Sequence, residues 1–237
     1  MRLDQYCALQ LYTRSKAKDA IKEGRVRVND IIIRKPSFLV NENDSIVIEN
    51  TDGYVSRAAY KLLGAIETFH IDLEKQVVLD IGASSGGFTQ VSIQHGASKV
   101  YALDVGHSQL DQSLINDPKV VVMEKRNARQ LESSWFDESI DFICMDVSFI
   151  SCLPILEQIF SQLKPKHMVI LIKPQFEVGP QYVNKKGIVT SQKRVNEILD
   201  KIQAYTQQFY QDVNIVPAKI AGRKGNQEYT MYAKERR

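Results

Sequence analysis

Apolar runs of strand length alternate with helix-length amphipathic stretches through most of this 237-residue chain, and this alternation restricts the fold more than any other feature. Strands that alternate with helices form βαβ units, in which a mostly parallel sheet is covered by helices on both faces. The sequence therefore predicts an α/β domain with a seven-stranded, mostly parallel sheet. The predicted strands are 77–81, 100–104, 120–124, 142–147, 168–173, 214–220 and 229–233, and the predicted helices are 56–69, 86–95, 152–163 and 190–210.

The first 50 residues follow another pattern, with two short helices, a hairpin and one more strand. The second helix has Ala17, Ala20 and Ile21 on one face and ends at Gly24, and the hairpin turns at Asn29-Asp30. We therefore expect a small α+β domain in front of the α/β domain. The predicted boundaries are 1–50 for the front domain, 51–56 for a polar linker, and 57–237 for the α/β domain.

Charge is distributed unevenly although the net charge is only +3. Residues 1–35 contain nine Lys and Arg against four Asp and Glu, and residues 219–237 contain six against two. The remainder is acidic, with 16 basic against 22 acidic residues. A basic front and a basic tail favour a polyanionic partner, although a solvated surface would also carry such charges.

Several classes of protein are disfavoured. Apolar runs such as 168–172 are far shorter than the roughly 20 residues that span a bilayer, and the first ten residues lack the apolar core of a signal peptide. Cys7, Cys144 and Cys152 lack metal-ligand spacing, as do the four histidines. We therefore expect a cytoplasmic protein with reduced thiols, no metal site and no membrane partner.

The stretch LDIGASSGGFT, at residues 79–89, predicts a ligand loop after the first strand of the α/β domain. In doubly wound sheets, ligands bind beyond the carboxyl ends of the strands. A P-loop would end in Gly-Lys-Ser/Thr, and a dinucleotide loop would read G-x-G-x-x-G. This loop reads G-x-x-x-G-G instead. Asp104 ends the next strand, where a carboxylate can accept hydrogen bonds from ribose hydroxyls. A tight strand–helix turn without a ligand is the structural alternative.

These features resemble the S-adenosylmethionine site of Rossmann-like methyltransferases. The resemblance implies that the methionine part of the cofactor lies along the glycines, that Asp104 binds the ribose, and that Asn127 lies near the adenine. The residues expected to bind the cofactor are Asp80, Gly82, Ala83, Ser84, Gly86, Gly87, Phe88, Asp104, Asn127 and Asp146.

Four charged residues fall at ends or turns of the predicted elements, namely Lys61, Asp146, Lys173 and Glu228. Asp146 and Lys173 each follow an apolar run, where an unpaired charge would be costly. Two lysines and two carboxylates together are neutral and can satisfy one another. Such a group suits methyl transfer to a sugar hydroxyl, which is a poor acid whose proton the site must remove.

The roles follow from charge and position. Lys173 is the candidate base if its pKa falls towards neutrality, Lys61 is the second cation, Asp146 orients Lys173, and Glu228 holds Lys61. The spacing of the four resembles the tetrad of FtsJ-type ribose 2′-O-methyltransferases. A base N-methylase would show Asn/Asp-Pro-Pro-aromatic where this chain has Asp146-Val147-Ser148-Phe149.

The front segment RLDQYCALQLYTRSKAKDAIKEGRVRVN resembles the RNA-binding domain named after ribosomal protein S4. That resemblance implies phosphate contacts that position RNA without reading its sequence. The alternative is an interaction module that binds no nucleic acid. The residues expected to contact RNA are Arg14, Lys16, Lys18, Lys22, Arg25, Arg27 and Lys35.

Taken in order, the S4-like segment and the motifs YVSRAAYKL, LDIGASSGGFT, MDVSFIS, LIKPQFE and GNQEY resemble the TlyA (hemolysin A) family over essentially the whole chain. The family implies 2′-O-methylation of cytidine in ribosomal RNA with S-adenosylmethionine. We expect ribosomal RNA or ribosomal subunits as partners and no obligate protein partner. Ala58-Ala59 replaces a usual Gly-Gly, and we expect a stiffer helix start there. The stretch PQYVNKKGIVTSQK has fewer glycines than the family pattern, which bears on substrate preference.

Other functions remain open at this point. The chain could be a non-catalytic RNA-binding or ribosome-assembly factor, although the intact Asp80, Asp104 and tetrad disfavour this. A membrane-active hemolysin would need a spanning segment or a strongly amphipathic basic helix. The glycine spacing disfavours a nicotinamide oxidoreductase.

Overall fold

Two compact units, Met1–Gly53 and Tyr54–Arg237, make up the chain in a computed structural model. The residues described are 1–11, 14–48, 53–222 and 225–237, with the backbone alone described for Ser15, Lys16 and Glu23. Residues 49 and 50 of the predicted front domain and residues 51 and 52 of the predicted linker lie outside that set.

The front unit packs two helices against a small antiparallel sheet. Its elements are α1 (Leu3–Leu11), α2 (Arg14–Glu23), β1 (Val26–Val28), β2 (Ile31–Ile32) and β3 (Ile46–Ile48). Among the described residues, the strand order is β2-β1-β3. Asn29 and Asp30 have φ of 50° and 65°, as a two-residue type I′ turn requires, so the predicted hairpin is confirmed.

Helix α2 buries the face that its sequence predicts. Ala17, Ala20 and Ile21 are fully buried, and they share a core with Leu3 of α1 and Val26 of β1. Small side chains at these positions let the helices approach each other and the sheet closely. The polar side of α2 is thereby left for solvent or a partner.

The second unit is a doubly wound α/β domain. Its strands are β4 (Val77–Ile81), β5 (Lys99–Leu103), β6 (Val120–Met123), β7 (Phe142–Met145), β8 (His167–Ile172), β9 (Tyr210–Pro217) and β10 (Tyr229–Arg236). Its helices are α3 (Ala59–Phe69), α4 (Gly87–Gln94), α5 (Gln112–Ile115), α6 (Leu153–Gln162), α7 (Pro174–Glu177) and α8 (Gln192–Thr206), with short 3₁₀ turns at Ala128–Gln130, Ser133–Trp135 and Pro180–Tyr182.

The order of these strands places the candidate site. Over the described residues, seven strands form one sheet in the order β6-β5-β4-β7-β8-β10-β9, and β10 alone runs antiparallel to both of its neighbours. The predicted seven-stranded, mostly parallel sheet is confirmed. The strand order reverses between β4 and β7, and ligands bind at the carboxyl ends of such a switch point. Because Tyr229 pairs with Ile172, β10 begins at this same edge of the sheet.

Alternate residues of the central strand β4 face different helical layers. Val77, Leu79 and Ile81 belong to a core that includes residues of α6 and α8. Val78 belongs to a second core, which includes residues of α3 and α4. Strand residues two apart lie on one face, so Asp80 faces the α3–α4 side together with Val78.

The predicted bounds of strand β9 and of the helix before it differ from the observed ones. The strand predicted at 214–220 is β9 at Tyr210–Pro217, and the helix predicted at 190–210 ends at Thr206. Tyr210 is fully buried and donates its hydroxyl to the Pro165 carbonyl at 2.8 Å. Burial of this aromatic ring therefore ends the helix early and starts the strand.

The contact between α3 and α4 generates a prediction about Gly87. A Cβ on Gly87 would lie 2.8 Å from the backbone nitrogen of Ala59, because the two helices begin against each other. We expect Gly87→Ala to lower the free energy of unfolding by about 1–3 kcal/mol, which denaturant titration measures.

Gly64→Ala is the matched control. Gly64 lies inside α3, and its Cβ would come no closer than 3.4 Å to the Lys219 side chain. This substitution should stabilise the protein by roughly 0.5–1 kcal/mol, because alanine restricts the unfolded chain. Equal effects at both positions would contradict close packing at Gly87.

Candidate active site

The loop after β4 follows a path that depends on glycine. Gly82 has φ of +85°, and a Cβ on it would lie 2.8 Å from the Asp146 carbonyl oxygen. Gly86 has φ of +94°, and a Cβ there would meet Leu110 at 2.7 Å. The backbone nitrogens of Gly82 and Ala83 both donate to the Leu103 carbonyl, at 2.8 and 3.1 Å. The loop is therefore held between the ends of β5 and β7.

Asp104 connects this loop with the one after β5. Its Oδ2 accepts a hydrogen bond from the Ser84 nitrogen at 2.9 Å, and its Oδ1 accepts from the Gly106 nitrogen at 2.7 Å. A carboxylate has about four acceptor positions, so both oxygens can still accept further hydrogen bonds. Val105 follows with a side chain that is 72% exposed, although it is aliphatic.

Asp80 lies beneath the loop and is fully buried. Its Oδ2 accepts from the Thr89 hydroxyl at 2.7 Å, whereas Oδ1 has no hydrogen-bond partner among the described residues. Burial raises the pKa of Asp80 from its ordinary 3.8 to about 7. The hydrogen bond from Thr89 partly offsets this rise in pKa, and the nearby charge of Asp146 adds to it.

Asn127 lies after β6, at the same edge of the sheet. Its Oδ1 accepts from the Arg129 nitrogen at 3.1 Å and caps the short turn that follows. Beside it, the guanidinium of Arg126 lies over the Trp135 ring at 4.7 Å. The cap leaves the Asn127 amide group able to donate.

The loop and its neighbours fit the expected cofactor. S-adenosylmethionine carries a sulfonium and an ammonium against one carboxylate, so it is a cation. The carboxylate of Asp104 supplies negative charge beside the loop, the buried Oδ1 of Asp80 has no hydrogen-bond partner among the described residues, and Gly82 leaves its backbone uncovered. The remaining loop residues that the sequence singles out, Phe88 and Gly87, are buried at the start of α4.

The four charged residues predicted from the sequence come together at the carboxyl edge. Lys61 Nζ lies 2.7 Å from Glu228 Oε2 and 3.4 Å from Asp146 Oδ2. Lys173 Nζ lies 2.5 Å from Asp146 Oδ1. Lys61 comes from α3, Asp146 and Lys173 directly follow β7 and β8, and Glu228 directly precedes β10. The four elements therefore meet at a chain of three ion pairs.

Ion pairing dominates the electrostatics of this cluster. Burial by itself would raise the pKa of Asp146, but Lys61 and Lys173 outweigh it and hold that pKa below its ordinary value. Burial would also lower the pKa of Lys61, but Asp146 and Glu228 hold that pKa above its ordinary value. Asp146 is therefore a carboxylate and Lys61 an ammonium near neutral pH.

Three residues beside the cluster were not singled out as site residues by the sequence. Lys173 Nζ donates to the Ser148 hydroxyl at 2.8 Å, and the Gln175 amide donates weakly to Glu228 at 3.5 Å. Phe149 has φ of +69° and is 90% exposed, with its ring centroid 5.1 Å from that of Phe176. The signal for Phe149 was its position three residues after Asp146, where base N-methylases also carry an aromatic residue.

The basic residues predicted to contact RNA are only partly grouped. Arg14, Lys18 and Lys22 are exposed at four-residue intervals along α2, which places them on one stripe. Buried Asp4 lies 3.6 Å from Arg14 and binds Arg2 at 2.9 Å. The other positions are exposed Lys35, half-buried Arg25 and Arg27, and Lys16, whose side chain lies outside the described residues.

The described residues contain neither a metal-ligand cluster nor a membrane-spanning helix. No group of three or more His, Cys, Asp and Glu residues could hold a metal ion in this part of the chain. Within the same residues, no helix is both long and apolar enough to cross a membrane.

Comparison with known proteins gives two family matches. Residues 54–235 match the FtsJ-like methyltransferase family and residues 1–46 match the S4 domain. Hemolysin A of Brachyspira hyodysenteriae is 42% identical, with 97% of this chain and 98% of that protein covered. The 16S/23S rRNA (cytidine-2'-O)-methyltransferase TlyA of Mycobacterium tuberculosis is 36% identical, with 93% and 84% covered. A solved structure described as a hemolysin from Streptococcus thermophilus is 33% identical with a TM-score of 0.75, covering 99% of this chain and 88% of that one.

The environment of Asp80 predicts a specific dependence of stability on pH. The folded protein keeps a proton on Asp80 up to about pH 7, whereas the unfolded chain releases it near pH 4. The stabilisation that Asp80 gains from holding its proton more tightly in the folded state is complete below pH 4 and is lost as the pH rises through 7. The unfolding free energy of the wild type minus that of Asp80→Asn should therefore fall by on the order of 4 kcal/mol between pH 4 and 8.

Denaturant titrations across this pH range measure that difference. Asp200→Asn, which removes an exposed carboxylate on α8, provides the baseline. A difference for Asp80→Asn that stays constant or rises with pH would contradict a protonated, buried Asp80.

Proposed function

The chain belongs to the FtsJ-like methyltransferase family, and we propose that it transfers a methyl group from S-adenosylmethionine to the ribose 2′-hydroxyl of a cytidine in ribosomal RNA. The proposal rests on the continuous chain of three ion pairs that runs from Glu228 through Lys61 and Asp146 to Lys173 beside the glycine loop. The names of relatives such as the Mycobacterium tuberculosis protein support ribosomal RNA as the substrate.

The loop after β4 is the proposed cofactor site. Asp104 accepts hydrogen bonds from the ribose, Asn127 lies beside the adenine, and the backbone from Gly82 to Gly87 borders the methionine part. Asp80 supports the loop from below through Thr89. The bound cofactor supplies the methyl group as an electrophilic carbon on a sulfonium sulfur.

Lys173 is the proposed base. A 2′-hydroxyl is a poor acid, so its proton must be transferred as the oxygen attacks the methyl carbon. Lys173 first releases its own proton to solvent and then, as the neutral amine, takes the hydroxyl proton on Nζ. Two contacts hold that nitrogen in place, an ion pair with Asp146 at 2.5 Å and a hydrogen bond to the Ser148 hydroxyl at 2.8 Å. Placing base and hydroxyl together in this way contributes to the rate through orientation.

Lys61 and Glu228 complete the charge balance. Lys61 shares Asp146 with Lys173, so Asp146 keeps a cationic partner when the charge state of Lys173 changes. Glu228 holds Lys61 at 2.7 Å and is itself almost fully buried. A buried carboxylate that lost its cation would be costly, so this outer pair fixes Lys61 in place.

Phe149 is the proposed contact for the acceptor base. An aromatic ring that is 90% exposed presents apolar surface to water, and its left-handed backbone conformation is unusual for a bulky residue. RNA-modifying and RNA-binding sites stack unpaired bases on such rings. The ring of Phe176 supports Phe149 from one side, which leaves the rest of the ring for a base.

The front unit is the proposed RNA-binding domain. Arg14, Lys18 and Lys22 form an exposed basic stripe on α2, and cationic side chains of this kind bind phosphates regardless of sequence. The unit would thus increase affinity and leave the choice of nucleotide to the catalytic domain.

Arginine substitutions separate the roles of the two lysines. Arginine keeps a positive charge but cannot act as a base in a protein. We expect Lys173→Arg to lower the rate of methyl transfer to ribosomal subunits at least about 100-fold, because the base is lost. Lys61→Arg should retain activity within about tenfold of the wild type, because the proposed role of Lys61 requires only a positive charge beside Asp146.

Radiolabelled cofactor and calorimetric cofactor binding provide the readouts. Both variants should bind S-adenosylmethionine as the wild type does. Activity of Lys173→Arg within tenfold of the wild type would exclude Lys173 as the base. Cofactor binding without transfer by the wild type, on every ribosomal substrate, would instead favour the non-catalytic assembly factor.

Charge reversal on α2 tests whether the front unit binds RNA. Lys18→Glu/Lys22→Glu should weaken binding to ribosomal RNA while leaving the transfer rate at saturating RNA near that of the wild type, because these residues lie outside the catalytic domain. Lys119→Glu/Lys164→Glu makes the same charge change at exposed positions before β6 and β8, at the opposite edge of the sheet. Equal losses of affinity in both pairs would assign the effect to net charge alone.

A further inference from the structure

A short hairpin between the 3₁₀ turn at Pro180–Tyr182 and helix α8 has a well-defined shape. Val183 and Val189 pair as an isolated antiparallel bridge. At the tip, Asn184 Oδ1 accepts from the backbone nitrogens of Lys186 and Ile188, at 2.9 and 3.0 Å. The Asn184 backbone also bonds to Ile188 and Gly187. We call residues 183–189 the lysine hairpin, because its tip carries Lys185 and Lys186.

Asn226 attaches the lysine hairpin to the segment that carries Glu228. Its amide nitrogen donates to the Gly187 carbonyl at 2.8 Å, and its amide oxygen accepts from the Val189 nitrogen at 2.9 Å. The Asn226 side chain is buried, so both bonds are shielded from water. Two residues of extended backbone span at most about 7 Å, so this attachment lies close to Glu228 along the chain.

The tip of the hairpin carries two positively charged side chains. Lys185 and Lys186 are both exposed, and neither has an ion-pair partner within the described ranges. The hairpin follows β8 and contacts the segment before β10, so it lies at the carboxyl edge of the sheet, where Lys173 also lies. Two adjacent unpaired cations on an ordered support fit a polyanion.

We propose that the lysine hairpin binds the RNA phosphate backbone beside the acceptor nucleotide through Lys185 and Lys186, and that Asn226 positions it relative to Glu228. This inference rests on the proposed function, since an acceptor ribose at Lys173 brings its flanking phosphates to the same edge. Because the hairpin is already ordered, its binding costs less conformational entropy than that of a free loop. The catalytic domain thus has its own RNA contact, separate from the stripe on α2.

Charge reversal of the two lysines is the first test. Lys185→Glu/Lys186→Glu should weaken binding of the full chain to ribosomal RNA at least about fivefold at physiological salt. Loss of two phosphate contacts should also reduce the slope of log affinity against log salt by about 1.4 to 1.8. Lys119→Glu/Lys164→Glu is the matched control and should leave both quantities near those of the wild type.

Asn226→Ala tests the positioning role. It should raise the KM for RNA about threefold to tenfold in the wild-type background, because the hairpin loses its attachment. In the Lys185→Glu/Lys186→Glu background the same substitution should raise that KM no further, because the hairpin no longer binds RNA. Equal effects in both backgrounds would show that Asn226 acts through Glu228 or the fold and would overturn its positioning of the hairpin.

These outcomes separate the inference from the proposed function. Methyl transfer by the wild type together with unchanged affinity and salt slope in Lys185→Glu/Lys186→Glu would overturn the RNA contact while the methyltransferase assignment stands. Absence of transfer by the wild type to any ribosomal RNA would overturn the assignment itself. Thermal unfolding of each variant identifies any loss of affinity that comes from a loss of folded protein.

Discussion

Asp146 binds two ammonium groups at once, and the rest of the site is arranged around that carboxylate. Oδ1 contacts Lys173 and Oδ2 contacts Lys61, while the Asp146 backbone nitrogen donates to the Ile81 carbonyl at 3.0 Å. The carbonyl oxygen of the same residue would lie only 2.8 Å from a Cβ on Gly82. One residue therefore ties the ion-paired cluster to the glycine loop. Any side chain at Gly82 would displace the carboxylate that orients the proposed base.

Burying such a cluster contributes more to function than to stability. Removing charges from water costs several kcal/mol for each ion, and mutual attraction offsets that cost only with good geometry. Here each charge has a close partner of opposite sign, and the four together are neutral. Removing one member would leave a buried, uncompensated charge. The cluster therefore fixes its own geometry, because any other arrangement of the same residues would be costlier.

The sequence predicted the parts of the site that depend on topology. Asp146 and Lys173 follow parallel strands, whose carboxyl ends meet at one edge whatever the side chains do. Glu228 reaches that edge because β10 runs antiparallel and begins there. Ser148, Phe149 and Asn226 were missed as site residues, since their contacts depend on loop conformation and side-chain direction. For the same reason the boundary between α8 and β9 was misplaced, because burial of one tyrosine ring decides it.

Chemical identification of the methylated atom shows whether the protein modifies the ribose or the base. Ribosomal subunits incubated with the protein and labelled S-adenosylmethionine are hydrolysed in alkali, which requires a free 2′-hydroxyl to cleave the chain. If the acceptor is the ribose 2′-hydroxyl of a cytidine, the label appears in alkali-resistant dinucleotides that contain a 2′-O-methylcytidine. Label in mononucleotides, which would place the methyl group on a base, would contradict it.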